Sequence, residues 1–315
     1  MSQLKCDIPT VDIRPWLDGS SPDEVVNQVR AASMTYGFFQ LVGHGVPLES
    51  QKEIFECAKR FFSLPLEQKI SLAKDPGSGR GFEVIGSQAL ESGEAPDQKE
   101  AFRVGRDVPP NDPAYGTYLY GPNLWPDLLD DEFKKPVMEY RAHMIRLATE
   151  IMKILAKGLP YNDDVFADFM RDPVASVKLL HYPPQAQDAG DGDFKIGAGA
   201  HTDFGAITLL LQHPGQEGLE VLHPSSDSWI PVPTAEDTYV VNIGDVLSAW
   251  TKGQYRSALH RVINKGDLDR YSIPFFYDGT MTTMMNALDG SEGSGTGKTL
   301  GQHFQEKFST ADLKT

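Results

Sequence analysis

Leu259-His260-Arg261-Val262-Ile263 and Arg270-Tyr271-Ser272-Ile273-Pro274-Phe275-Phe276-Tyr277 are two β-rich runs joined by a short polar segment, Asn264 to Asp269. Further runs of this kind lie around 176 to 182, 207 to 211, 219 to 222 and 239 to 243, separated by Gly, Pro and Asp. Short strands at this spacing predict an antiparallel jelly-roll or barrel. Side chains alternate between the two faces of a strand, so Arg270, Ser272, Pro274 and Phe276 share one face.

Working outward, the same alternation gives the β-rich half its chemistry. In His201-Thr202-Asp203 an extended chain points an imidazole and a carboxylate in one direction. His260 opens the strand that ends at Ile263, and a rolled sheet can bring it beside the other two. Two histidines and one carboxylate with open positions are the ligand set of non-haem iron(II) that binds co-substrate and dioxygen together. Ten residues past His260, Arg270 offers a forked, permanently charged donor for a carboxylate, and Ser272 adds a hydroxyl from the same side. A dicarboxylate between Arg270 and the metal would be held at both ends.

Toward the N-terminus the pattern changes. Ile8 to Ile13 alternates as a half-buried strand, and Ser21-Pro22-Asp23-Glu24 predicts a capped helix over about 22 to 35, ended near Gly37. Phe38 to Val42 reads as a strand. A second capping box, Ser50 to Glu53, is expected to open a helix with Ile54, Phe55, Ala58, Phe61 and Phe62 on one stripe. Residues 75 to 122 are rich in Gly, Pro and Asp and predict a long irregular segment lining a site. From Lys134 to Leu159 apolar residues recur at helical spacing, and a short helix is expected near Leu300 to Phe308. The expected division is an N-terminal α/β region over 1–120 packed on a helix plus jelly-roll catalytic domain over 121–315.

The chain has 315 residues and a formal charge of -15. That field repels nucleic acid and anionic membranes and favours a small-molecule substrate. Cys6 and Cys57 are too few for a disulfide framework. Neither a signal peptide nor a run of roughly 20 apolar residues is evident. A cytoplasmic location is expected, and protein partners and oligomeric state are not legible. Gly293-Ser294-Gly295-Thr296-Gly297-Lys298-Thr299 looks like a phosphate-binding loop, but Glu292 stands where the motif needs glycine, so a linker is the better reading. Singly, any of the histidines is more often structural than a ligand. His44, His143, His181, His213, His223 and His303 are assigned that ordinary role, His181 on the packing side of its strand.

Several pieces occur together in one order: Ile8-Pro9-Thr10-Val11-Asp12, Tyr36-Gly37-Phe38-Phe39-Gln40 with Gly43-His44-Gly45-Val46, Phe61-Phe62-Ser63-Leu64-Pro65, His201-Thr202-Asp203, Asn242-Ile243-Gly244-Asp245 through Trp250 to His260-Arg261-Val262, and Arg270-Tyr271-Ser272. On these the chain resembles, over nearly its whole length, the 2-oxoglutarate/Fe(II)-dependent dioxygenases of the isopenicillin N synthase-like family. The resemblance implies a mainly β fold with flanking helices around a distorted double-stranded β-helix, a cupin-like jelly-roll. It implies His201, Asp203 and His260 as the iron ligands and Arg270 with Ser272 as the co-substrate anchor. Tyr182 matches a family tyrosine that assists 2-oxoglutarate. Leu180 stands where many plant members carry asparagine, so that polar contact is absent.

The implied activity uses Fe(II), 2-oxoglutarate and O2 to hydroxylate, desaturate or cyclise a small organic molecule, with secondary metabolism as one setting, releasing succinate and CO2. The segment Gly81-Phe82-Glu83 to Phe102-Arg103-Val104-Gly105-Arg106 resembles microbial, especially fungal, members, among them pyrimidine oxidases and natural-product enzymes. Phe102 and Phe276 are candidate walls of the substrate pocket. Three rivals stand beside this reading: an iron oxidase of the same fold that does without 2-oxoglutarate, a non-enzymatic metal-binding barrel, and a zinc hydrolase. A zinc hydrolase leaves Arg270 and Ser272 without a role, and a binding barrel has no need for open iron positions.

Overall fold

The computed structural model describes residues 8–88, 96–129, 131–184, 196–264, 268–290 and 297–311. Its strands are β1 (Thr10–Asp12), β2 (Phe38–Val42), β3 (Gly81–Glu83), β4 (Glu100–Val104), β5 (Val174–Tyr182), β6 (Ile196–His201), β7 (Ile207–Gln212), β8 (Leu219–Leu222), β9 (Trp229–Pro231), β10 (Tyr239–Ile243), β11 (His260–Ile263) and β12 (Arg270–Gly279). The helices are α1 (Arg14–Leu17), α2 (Pro22–Thr35), α3 (Leu48–Phe62), α4 (Leu66–Ile70), α5 (Asp131–Lys157), α6 (Ala167–Met170), α7 (Asp245–Trp250) and α8 (Leu300–Ala311).

Two sheets face each other across the site. The larger runs β1-β2-β10-β7-β12-β5-β4-β3 and the smaller β6-β11-β8-β9. Apart from the parallel β1–β2 pair, neighbouring strands are antiparallel. This is the double-stranded β-helix expected from the spacing of the β-rich runs. Period-2 alternation divides the larger sheet into a dry face and a site face. Val177, Leu179, Leu209, Leu211, Val241, Ile273 and Phe275 are buried in the main core with residues of α2, α3 and α5. Lys178, Leu180, Tyr182, Thr208, Leu210, Asn242, Arg270 and Ser272 face the cavity between the sheets.

The helices form where their apolar stripes meet that dry face. On α3, Ile54, Phe55, Ala58, Phe61 and Phe62 are all buried, and α5 buries Val137, Met144, Ile151 and Leu155. Phe61 stacks on Phe102 of β4 with ring centroids 4.1 Å apart, tying helix to sheet.

Several expectations change in detail. Neither capping box forms as predicted. Ser21 is the N-cap of α2 but makes no side-chain cap hydrogen bond, its hydroxyl lying 3.4 Å from Glu24 Oε2 instead. The helix expected to begin at Ser50 begins at Leu48, because Pro47 takes the N-cap position and its carbonyl accepts the Gln51 N–H. The segment 75 to 122, expected to be irregular, contributes β3 and β4 to the larger sheet. Those strands carry charged residues on buried positions, so no apolar alternation announces them. Strands β6 and β9 are likewise not expected from the sequence: one is rich in Gly and Ala, the other only three residues long. Most of the Gly/Ser-rich segment 289 to 298, including positions 291–296, lies outside the described residues, as does Cys6.

Candidate active site

His201 ends β6 and His260 begins β11, and the two lie directly opposite each other in the antiparallel pair. Each imidazole donates its Nδ1 hydrogen to a carbonyl on its own chain, His201 to Gly199 at 2.7 Å and His260 to Ala258 at 3.1 Å. That fixes the tautomer and leaves both Nε2 atoms with a free lone pair. Both Nε2 atoms stand 3.8 Å from Asp203 Oδ1. The other carboxylate oxygen, Oδ2, accepts hydrogen bonds from Thr208 Oγ1 at 2.5 Å and Asn242 Nδ2 at 2.7 Å. Three lone-pair donors therefore converge within 4.8 Å of one another.

Asp203 reaches this place by a different route from the one expected. The strand ends at His201, so the alternation argued for His201-Thr202-Asp203 does not itself carry the carboxylate inward. The turn between β10 and α7 holds it. Asp245 N donates to the Asp203 carbonyl at 2.8 Å and Gly244 N to the Ala206 carbonyl at 2.8 Å. A Cβ on Gly244 would lie 2.2 Å from the Gly205 carbonyl oxygen, so only glycine permits this approach. The stretch Asn242-Ile243-Gly244-Asp245 thus fixes both the backbone and the carboxylate of Asp203.

Electrostatics favour a ligand-ready state. Burial and the neighbouring His260 push the His201 pKa down to about 4 against the pull of Asp203, which keeps the imidazole neutral. Burial would raise the Asp203 pKa, but the two histidines and the hydrogen bonds from Asn242 and Thr208 bring it below the ordinary carboxylate value. Neutral imidazoles and an ionised carboxylate are the forms that bind a metal.

Arg270 stands at the start of β12, opposite Tyr182 of β5 in the strand pairing, with its Cζ 4.8 Å from the tyrosine ring centroid. It is 2 % exposed. Its Nε donates to the carbonyls of Gln216 and Glu217 at 3.3 and 3.2 Å, and Nη2 to Gln212 Oε1 at 3.4 Å. Nη1 is buried and makes no hydrogen bond. An orphaned guanidinium nitrogen in a cavity fits an anionic co-substrate that completes it. Ser272 is buried two residues on, lining the same cavity.

The cavity encloses about 1050 Å³ of empty space, a figure that includes its open mouth. Phe276 lines it as expected. Phe102 does not: it faces the opposite side of β4, stacked on Phe61 and packed near Phe133. A one-residue shift along a strand reverses the face, and its neighbour Arg103 takes the cavity position. Thr208, Asn242 and Gln212, which orient Asp203 and Arg270, are not singled out by the sequence. Asn242 had a signal, since it opens the Asn242-Ile243-Gly244-Asp245 motif, whereas Thr208 and Gln212 sit on an otherwise apolar strand. Asp278, buried at the end of β12, also faces the cavity. Burial and nearby Asp203 raise its pKa to about 7 despite Arg103 and Arg80. His181 packs on the dry side, stacked on Tyr271 at 4.9 Å, and His44 is held by Val46 N and the Asp237 carbonyl.

Comparison with known proteins adds the family. A model described as the 2OG-Fe(II) oxygenase superfamily matches residues 173–279, and one described as the non-haem dioxygenase in morphine synthesis N-terminal region matches residues 8–128. The 2-oxoglutarate-dependent dioxygenase tropC of Talaromyces stipitatus is 44% identical over 313 residues, covering 96% of this chain and 94% of that protein. The 2-oxoglutarate-dependent dioxygenase caaD of Aspergillus niger is 40% identical, covering 98% and 94%. Among solved structures, a full-length Neurospora crassa protein in complex with alpha-KG and thymine superposes with a TM-score of 0.85 at 26% identity, covering 98% of each chain.

Proposed function

Because the chain belongs to the 2OG-Fe(II) oxygenase superfamily, we propose that His201, Asp203 and His260 hold its ferrous ion and that Arg270, Ser272 and Tyr182 hold its 2-oxoglutarate. The protein is an Fe(II)- and 2-oxoglutarate-dependent oxidoreductase acting on a small organic molecule. The observation that carries the residue assignment is the division of polar atoms. Two Nε2 atoms and Asp203 Oδ1 are left for an ion, and Arg270 Nη1 is left for an anion.

With iron and 2-oxoglutarate bound, the site has the means to activate dioxygen and oxidise a C–H bond, with succinate and CO2 as co-products. The protein's own residues position and exclude. The Gly199 and Ala258 carbonyls aim the two imidazoles, Asn242 and Thr208 turn Asp203 so that one oxygen faces them, and Gln212 with two backbone carbonyls fixes the Arg270 fork. Leu180, Leu210, Leu219 and Val262 give the cavity apolar walls that exclude water. Phe276, which lines the same cavity, is assigned to the substrate wall.

No helix among the described residues is long and apolar enough to cross a membrane, and the cytoplasm is the compartment we assign, with a small molecule as the partner. Anaerobic addition of Fe(II) and 2-oxoglutarate is expected to give a visible charge-transfer absorption, and turnover to give succinate. Oxygen consumption with neither band nor succinate would favour an oxidase of the same fold that does without 2-oxoglutarate. The naming of relatives as 2-oxoglutarate-dependent weighs against that rival.

A further inference from the structure

Away from Arg270, the cavity wall is cationic. Lys99, Arg103 and Lys178 all line it, and all are buried, at 8%, 8% and 5% exposure. The strand pairing explains the cluster. Arg103 of β4 lies opposite Lys178 of β5, and both project to the site face while Phe102 and Leu179 project to the core. Lys178 is four residues along β5 from Tyr182, roughly 13 Å at the rise of an extended strand, so the cluster is distinct from the Arg270 anchor.

Buried cations need counter-charges, and the position of these is informative. Glu83 of β3 is 2.5 Å from Lys178, and Asp97 pairs with Lys99. Asp97 also accepts the Gly199 N–H at 2.9 Å, joining this wall to the strand that carries His201. Neither Glu83 nor Asp97 is among the described residues that line the cavity, and Glu83 is shared with Lys74 at 3.2 Å. An ammonium has three donors, and a single carboxylate partner does not use them all. Set aside Asp203 and Arg270, which the metal and co-substrate engage, and the described lining holds three cations against one carboxylate, Asp278. Burial and the neighbouring Arg103 and Lys99 lower the Lys178 pKa to about 8 despite Glu83, a repulsion that a bound anion would relieve. Aromatic surface adjoins the charge. The Arg103 Cζ lies 5.2 Å from the Phe276 ring centroid, and Phe204 and Phe304 line the same cavity.

We propose that the substrate carries an anionic oxygen on a flat ring, a carboxylate or an ionised enol or phenol, which Lys99, Arg103 and Lys178 receive while the ring packs near Phe276. This rests on the assignment of the same cavity as the iron and 2-oxoglutarate site. The cationic wall then selects the substrate and sets which end of the ring faces the metal ligands.

The test is an anaerobic titration of the Fe(II) and 2-oxoglutarate complex, read by calorimetry and by perturbation of its visible band. The probes are benzoate, 4-nitrophenol at a pH where it is ionised, their neutral counterparts methyl benzoate and 4-nitroanisole, and thymine. At least one anion is expected to bind about tenfold or more tightly than its neutral counterpart. A preference confined to benzoate identifies a carboxylate, and one confined to 4-nitrophenolate an enol or phenol. Arg103→Gln is expected to remove most of this preference while the 2-oxoglutarate band still forms. Arg103→Lys keeps the charge and the preference, and serves as the folding control. Neutral probes or thymine binding as tightly as the anions would overturn the proposal, as would a preference unchanged in Arg103→Gln. A wild-type protein that gives no band on adding 2-oxoglutarate would instead overturn the co-substrate assignment, and this proposal with it. The wild-type preference decides the matter even if the variants fold poorly.

Discussion

At Asp203 one carboxylate serves two purposes. Its Oδ2 is held by Asn242 and Thr208, and its Oδ1 faces two imidazoles. Asn242→Leu keeps the shape and removes one donor, so iron affinity is expected to fall by about tenfold to a hundredfold, measured by anaerobic Fe(II) titration. Affinity equal to wild type would show that Asn242 does not orient the ligand. His181 carries a second residue-scale prediction. Burial lowers its pKa, but hydrogen bonds to Glu100 at 2.8 Å and Asp269 at 2.6 Å more than offset this and raise it above the ordinary 6.5. A raised histidine pKa contributes stability that is complete below the unfolded value and is lost as pH rises through the folded one. Urea midpoints of the wild type should therefore decline as pH climbs above 6.5, and His181→Gln should flatten that slope. An unchanged slope in the variant would remove His181 as its source.

Among the elements, β5, β6 and β12 build the end of the cavity proposed to hold the co-substrate. Gly197 of β6 passes over the Tyr182 ring so closely that a Cβ there would sit 2.9 Å from Tyr182 Cδ1. Glycine is needed for this approach, not for its backbone freedom. Gly197→Val is expected to displace the ring, and with it the neighbouring Arg270, and to raise the KM for 2-oxoglutarate several-fold with the far-ultraviolet circular dichroism preserved. A KM that does not move would mean that the Tyr182 position is irrelevant to co-substrate binding. The alternation of β12 is fully legible in sequence: Arg270, Ser272 and Phe276 share the face predicted for them. The opposite holds for β4, where every residue is buried and no apolar alternation marks which side faces the core. The expectation for Phe102 accordingly falls on the wrong face.

Across the whole molecule, helices α3 and α5 brace one face of the larger sheet so that its other face keeps a fixed cavity. Phe61 is fully buried and meets Phe102, Phe133, Phe82 and Phe62. Phe61→Ala is expected to cost about 3–5 kcal/mol in urea denaturation, through lost contacts and the cavity left behind. The protein that remains folded should still give the 2-oxoglutarate band. A loss under about 1 kcal/mol would mean that this aromatic cluster does not hold helix and sheet together.

By itself the sequence determined the jelly-roll class, the two histidines and aspartate as candidate ligands, and the arginine and serine that share a strand face. The shared face of the arginine and serine follows from local alternation, and the ligand candidates from residue type and motif. Tertiary structure decided the rest. The Asn242 and Thr208 contacts to Asp203 bridge separate strands, the Gly244 turn replaces strand alternation in placing the aspartate, and the cationic wall forms only when β4 pairs with β5. Register between distant strands sets which charged side chains meet, and a linear sequence carries little record of it where both faces of a strand are buried.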